Sequence, residues 1–187
     1  MKKKISILGA TGSIGVSALS IIDKKKSFFN IVLLSSNKNF NLICKQIKKY
    51  KPKYYVINDL KIFNKVKKKF KKSKVKIINC FDFNDKNIKS EIVISAIPGV
   101  AGLNPTINII DKTKKILISN KESIICGWNL IKEKAKKNKT KIVPIDSEHF
   151  SIFQLIKNTK IEDIEKIFLT ASGGPFLNLK ISKFKKI

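Results

Sequence analysis

The sequence predicts a doubly wound α/β fold with a mostly parallel sheet, followed by the start of a smaller α+β region. Three observations carry that expectation. Short apolar runs rich in β-branched residues recur up to residue 146, longer amphipathic stretches separate them, and a glycine-rich turn joins the first run to the first helical stretch. Strand and helix in regular alternation imply a parallel sheet covered on both faces.

The elements follow in order. "KISILG" (4–9) is the first strand, and residues 13–24 form a helix that places Ile14, Leu19, Ile21 and Ile22 on one side. "IVLLSS" (31–36) is the second strand, and residues 39–50 carry Phe40, Ile43 and Ile47 at helical spacing. After the strand "KYYVIN" (53–58) comes "KIFNKVKKKFKKSK" (61–74), where Ile62, Phe63, Val66 and Phe70 keep a helical stripe inside a lysine run; it reads as one more surface helix. "VKIIN" (75–79), "EIVISAI" (91–97) and "KILISN" (115–120) are further buried strands. A helix over 121–137 opens with "KES" and closes in lysines that suit a helix C-terminus, and "KIVPID" (141–146) is the last strand. The expected division is a nucleotide-binding domain over 1–146 and the beginning of a second domain over 147–187.

Composition narrows the function classes. The 187 residues are 43% apolar, enough for a sizeable core, and carry a formal charge of +27. Every basic residue is lysine, spread over the whole chain, whereas nucleic-acid readers lean on arginine forks. Solvated lysine faces account for the excess better than a basic nucleic-acid-binding protein with an incidental α/β fold. Cys44, Cys80 and Cys126 are odd in number and widely spaced, which indicates reduced, mostly buried thiols rather than disulfides or zinc. No apolar run reaches membrane-spanning length and no secretory leader is evident, so the expectation is a soluble, cytoplasmic protein.

The stretch "ILGATGSIG" (7–15) places Gly9, Gly12 and Gly15, three of only 8 glycines, between the first strand and the first helix. In a Rossmann-like sheet this is where a dinucleotide's pyrophosphate meets helix N-terminal amides, and glycine allows the close approach. The G-x-x-G-x-x-G spacing departs from G-x-G-x-x-G, and a tight strand-to-helix turn would also use these glycines. Thr11 and Ser13 add hydroxyls that can reach phosphate. The second strand runs into "SSNKNF" with no acid for a ribose 2′-hydroxyl; Lys38 between Ser36, Asn37 and Asn39 instead complements a 2′-phosphate, which favours NADP.

Three later stretches exceed what a dinucleotide domain needs: "ISNKESI" (118–124), "PIDSEHFSIFQ" (144–154) and "LTASGGPF" (169–176). In extended backbone Asp146 and Glu148 would face one hard cation, but a D-x-E taken singly is a weak signal, and Asp146 with Ser147 capping a helix over 148–157 is the better reading of these residues by themselves. His149, the single histidine, fits a hydrogen-bonded side chain better than a ligand, and Ser172 with Gly173 and Gly174 resembles a phosphate nest.

"ILGATGSIG", "AIPGVAGL", "NKES", "DSEH" and "SGGPF", in this order, together resemble the 1-deoxy-D-xylulose 5-phosphate reductoisomerase family across essentially the whole chain. The resemblance implies NADPH-dependent, divalent-metal-assisted isomerisation and reduction of that ketose phosphate to 2-C-methyl-D-erythritol 4-phosphate in non-mevalonate isoprenoid synthesis. It implies that Thr11, Gly12, Ser13 and Ile14 contact NADPH, that Asn37, Lys38 and Asn39 lie at its 2′-phosphate, and that Asn120 and Glu122 hold the nicotinamide half. Where the family commonly has glycine this chain has Asn37. Lys121 would bind substrate oxygens; Asp146 and Glu148 would coordinate Mg²⁺ or Mn²⁺, with Co²⁺ as a third choice. Lys121 and Glu148 would be the catalytic pair, with Ser147 and Ser172 on the substrate. The implied partners are a small phosphorylated ketose and, in full-length members, a second copy in a homodimer, with neither a specific nucleic acid nor a membrane. Family members continue into a lid, further phosphate ligands and a third metal-binding glutamate. The chain is therefore expected to be an N-terminal fragment that binds NADPH but turns over negligibly alone.

Overall fold

A computed structural model describes residues 1–83, 85 and 88–169. The chain divides into two compact units, Met1–Ile145 and Asp146–Ile187. The first holds a seven-stranded sheet of β1 (Lys3–Leu8), β2 (Phe29–Ser36), β3 (Tyr54–Ile57), β4 (Lys76–Ile78), β5 (Ser90–Ser95), β6 (Thr113–Ile118) and β7 (Lys141–Pro144). The strand order is β4-β3-β2-β1-β5-β6-β7 and every pairing is parallel, so the sheet is wholly rather than mostly parallel.

Both sheet faces are covered, which is why the strands read as continuous apolar runs and not as alternations. One core gathers Ile5, Ile7, Leu34, Tyr55 and Ile57 with Leu19 and Ile22 of α1 (Ser13–Lys24) and Ile43 and Ile47 of α2 (Phe40–Tyr50). Val66 of α3 (Leu60–Lys69) is the one residue of that helix buried in it, with Ile62, Phe63 and Phe70 packed partly buried against it, so the lysine-rich stretch is helical up to Lys69 but not over 70–74. The other core sets Leu8, Val56, Val93, Ile116 and Ile118 against Ile109 and Ile131, from α4 (Leu103–Ile109) and α5 (Lys121–Lys137). Among the described residues no helix is long and apolar enough to cross a membrane.

Three sequence expectations need correction. The buried stripe of α1 is Gly15, Leu19 and Ile22, at i, i+4 and i+7, while Ile14 and Ile21 each lie one position off that stripe and are 40% and 59% exposed. The cysteines are not mostly buried: Cys44 is, Cys80 and Cys126 are exposed. Helix α4 was not anticipated. Its Pro105 suggests a break, but it falls in the first turn, where no intrahelical donor is lost. Helix α5 bends at Gly127, where a side chain would overlap Leu103 of α4.

In the second unit, α6 (Ser147–Leu155) follows directly on Asp146.

Candidate functional site

The strand order reverses between β1 and β5, and loops from the carboxyl ends of the strands surround a cavity of about 280 Å³ there. Gly9, Thr11 and Gly12 line it from β1, Asn37 from β2, Asn58 from β3, and Ile97 and Pro98 from β5. The three glycines do different jobs. Gly9 has φ +85°, and a Cβ on it would stand 2.5 Å from the Ala96 carbonyl oxygen. A Cβ on Gly15 would overlap the Gly9 carbonyl, so glycine there seats α1 against the turn. Gly12 is different: its Cβ would meet only Gly9 O, at 3.5 Å. A tight turn explains Gly9 and Gly15 but not Gly12, where a methyl group would make only ordinary van der Waals contact.

The turn is fixed from β2. The Gly9 amide donates to Ser35 Oγ at 3.0 Å and the Ala10 amide to the Ser35 carbonyl at 2.7 Å. Beyond it, α1 has no side-chain cap, whereas α2, α3, α5 and α6 are capped by Asn39, Asp59, Asn120 and Asp146. First-turn amides without an intramolecular acceptor suit an anion, and a bare helix N-terminus beside an unfilled glycine fits a dinucleotide's pyrophosphate.

The sequence-derived residues distribute unevenly. Thr11, Gly12 and Asn37 line the cavity; Ser13 and Ile14 form the exposed first turn of α1; Lys38 is exposed just after β2. Asn39 Oδ1 accepts from the Leu42 amide at 3.0 Å, so its oxygen caps α2. Asn120 is 3% exposed. Its Nδ2 donates to the carbonyls of Ile97 and of Gly99, the latter at 2.7 Å, and its Oδ1 accepts from the Ser123 amide at 2.8 Å. That side chain ties the loop after β5 to the start of α5. Lys121 and Glu122 are exposed in the first turn of α5. The residues that sequence reasoning left without a role are Ser35, Asn58, Ile97 and Pro98. Ile97 and Pro98 fall in "AIPGVAGL" and Ser35 opens "SSNKNF", whereas nothing in the sequence pointed to Asn58.

In the second unit Asp146 is the N-cap of α6: its Oδ1 accepts from the His149 amide at 3.0 Å and lies 2.6 Å from His149 Nδ1. Desolvation alone would raise the Asp146 carboxyl, but the hydrogen bonds from His149 outweigh it and hold the group below the usual carboxylate range. Of the two sequence readings the cap followed by a helix is the one that forms, not the extended D-x-E, with Ser147 and Glu148 in the first turn. Among the described residues no three His, Cys, Asp or Glu side chains cluster as a metal site. Two hard carboxylates remain a chemically suitable, incomplete donor set for Mg²⁺ or Mn²⁺. Ser172 lies outside the described residues.

An all-parallel sheet with a glycine-turned cavity at its switch point defines a Rossmann-type α/β protein. The chain matches the family model for 1-deoxy-D-xylulose 5-phosphate reductoisomerase over residues 5–127, and that for the C-terminal domain of the same enzyme over 142–187. It belongs to the 1-deoxy-D-xylulose 5-phosphate reductoisomerase family. It is 50% identical over 190 residues to the reductoisomerase of Pelagibacter ubique (strain HTCC1062), with 99% of this chain and 49% of that protein covered. Among solved structures it is similar to the Zymomonas mobilis reductoisomerase in complex with NADPH (TM-score 0.85, 30% identity, 98% of this chain and 49% of that one). It is also similar to a reductoisomerase in complex with NADPH, fosmidomycin and magnesium (TM-score 0.82, 29% identity, 99% and 49% covered). The chain spans about half the length of the curated relatives it matches.

Proposed function

We propose that this chain carries the NADPH-binding part of an enzyme that isomerises and reduces 1-deoxy-D-xylulose 5-phosphate to 2-C-methyl-D-erythritol 4-phosphate with a divalent cation. The uncapped N-terminus of α1 beside Gly12, at the switch point of the sheet, carries the reading. The amides of Ser13 and Ile14 receive the pyrophosphate with the Thr11 and Ser13 hydroxyls beside it, and Lys38 with Asn37 and the free amide of Asn39 meets the 2′-phosphate. Asn120 holds the Ile97 and Gly99 carbonyls in place, and with Glu122 it defines the nicotinamide end. Lys121 neutralises charge on the substrate's oxygens, Asp146 and Glu148 would hold the cation, and Ser147 and Ser172 donate to substrate. When bound, the cation supplies Lewis acidity at vicinal oxygens and NADPH supplies the hydride. The reading places the protein in the cytoplasm, where its thiols stay reduced, and the whole protein as a homodimer.

Calorimetric titration with NADPH and NADH tests it. NADPH is expected to bind more tightly, and Lys38→Glu to abolish the difference; equal affinities in the unaltered chain, or no NADPH binding, would overturn the cofactor assignment. Oxidation of NADPH by the ketose phosphate, followed by absorbance, is expected to be negligible with the 187 residues alone, and rapid turnover would refute the need for further ligands.

A further inference from the structure

A groove of about 1140 Å³ lies at the opposite edge of the sheet, where the strands begin. Lys4 enters it from β1, Lys53 precedes β3, Lys74 lies just before β4 and Lys89 just before β5, while Lys48 and Lys51 come from the C-terminal end of α2. All six are exposed, and none forms an ion pair among the described residues. The lining contains no acid; the Glu91 carboxylate lies beside it, accepting from the Lys4 backbone amide at 3.0 Å. The floor is apolar, with Ile31, Val32, Pro52 and Val75 buried.

A chain with 40 lysines places some in any concavity, but the distribution here is not even. Six of the fourteen residues lining this groove are lysine, and none of the twelve lining the nucleotide cavity is. Helix-end electrostatics do not account for the cluster either. The C-termini of α2 and α3 bring roughly half a negative charge each, about one in all, against six ammonium groups. Six like charges around one hollow repel one another, and the ligand that relieves this is a compact anion of high charge. One orthophosphate is too small to satisfy them. With no arginine and a single part-buried aromatic, Phe70, the groove offers little on which to stack nucleic-acid bases.

We propose that this groove binds an oligophosphate, three or more phosphoryl groups in line, free or carried on a nucleoside. It lies at the other end of the strands from the nucleotide cavity, so the two ligands bind together. Such a ligand would stabilise the first unit by mass action.

The test is calorimetric titration of inorganic tripolyphosphate into the full chain at about 0.15 M NaCl, with NADPH saturating. One saturable site is expected. The triple substitution Lys4→Gln, Lys51→Gln, Lys74→Gln should weaken it at least about tenfold. Lys132→Gln, Lys136→Gln, Lys137→Gln, the same charge change on α5, should leave it intact. Circular dichroism and NADPH binding check that both variants fold. ATP separates the two sources: affinity equal to tripolyphosphate means that the phosphate chain alone is read, and tighter binding means that the nucleoside is read too. The proposal is overturned by equal weakening in both variants, by competition with NADPH, by unsaturable uptake only, or by tighter binding of single-stranded RNA than of tripolyphosphate.

Discussion

Gly9 and Gly12, three residues apart, answer to different forces, and a methyl group separates them. At Gly9 the backbone is left-handed and a Cβ meets the Ala96 carbonyl, so Gly9→Ala carries the left-handed penalty of about 1–2 kcal/mol plus the displacement of β5's end. At Gly12 the methyl has room, and the cost is limited to a poorer N-cap, about 1 kcal/mol or less. Chemical denaturation should therefore show Gly9→Ala clearly less stable and Gly12→Ala nearly unaltered. On the proposed reading the Gly12→Ala methyl would stand where the pyrophosphate approaches, so NADPH titration should show this variant binding at least about tenfold more weakly. A Gly12→Ala protein that bound NADPH at full strength would remove the argument that this glycine serves a ligand. The sequence displayed the three glycines but not this division of labour, since spacing alone carries neither the sign of φ nor the distance to Ala96.

At the scale of elements, one buried amide joins two loops. Asn120 caps α5 through Oδ1 and holds the Ile97 and Gly99 carbonyls through Nδ2, so the loop after β5 and the helix after β6 move as one piece. Asn120→Ala loses the cap, about 1 kcal/mol, and leaves two part-buried carbonyls without their donor, about 1 kcal/mol more. Asn120→Asp keeps the capping oxygen yet turns a carboxylate toward two carbonyl oxygens. Urea denaturation should rank the aspartate at least as damaging as the alanine; a benign aspartate would mean that the cap is all that Asn120 provides. The strands and long helices were legible because each apolar run is short, β-branched and bounded by turn residues or lysines. What escaped had competing local signals. Pro105 hid α4, and in α1 the isoleucines at 14 and 21 outweighed a stripe whose first member is a glycine. The cap at Asp146 did not escape: a carboxylate just before a helical stretch is a strong local signal, and the cap is what forms. The cavity wall from β2 was legible in "SSNKNF", but Asn58 from β3 left no signal, because it acquires its place only through strand order.

The whole molecule carries 40 lysines against 13 acids, so its surface is dominated by repulsion. Ion pairs such as Lys49–Asp23 at 2.5 Å and Lys76–Asp85 at 3.4 Å offset little of it, since surface pairs contribute about 0–1 kcal/mol each. Salt acts on the two contributions unequally. Raising NaCl from about 0.01 M to about 0.15 M shortens the screening length from about 30 Å to about 8 Å, which removes repulsion between separated lysines but scarcely touches pairs in contact. The melting temperature should therefore rise with NaCl over this range, opposite to a protein held together by surface salt bridges. Chloride occupying the basic groove would also raise it, and the Lys4→Gln, Lys51→Gln, Lys74→Gln variant separates the two causes. General repulsion predicts that the variant starts at a higher melting temperature in low salt and still gains on adding salt, because most of its excess charge remains. A gain that vanished in the variant would assign the salt effect to the groove, and a melting temperature that fell with NaCl would show that contact pairs outweigh the net charge.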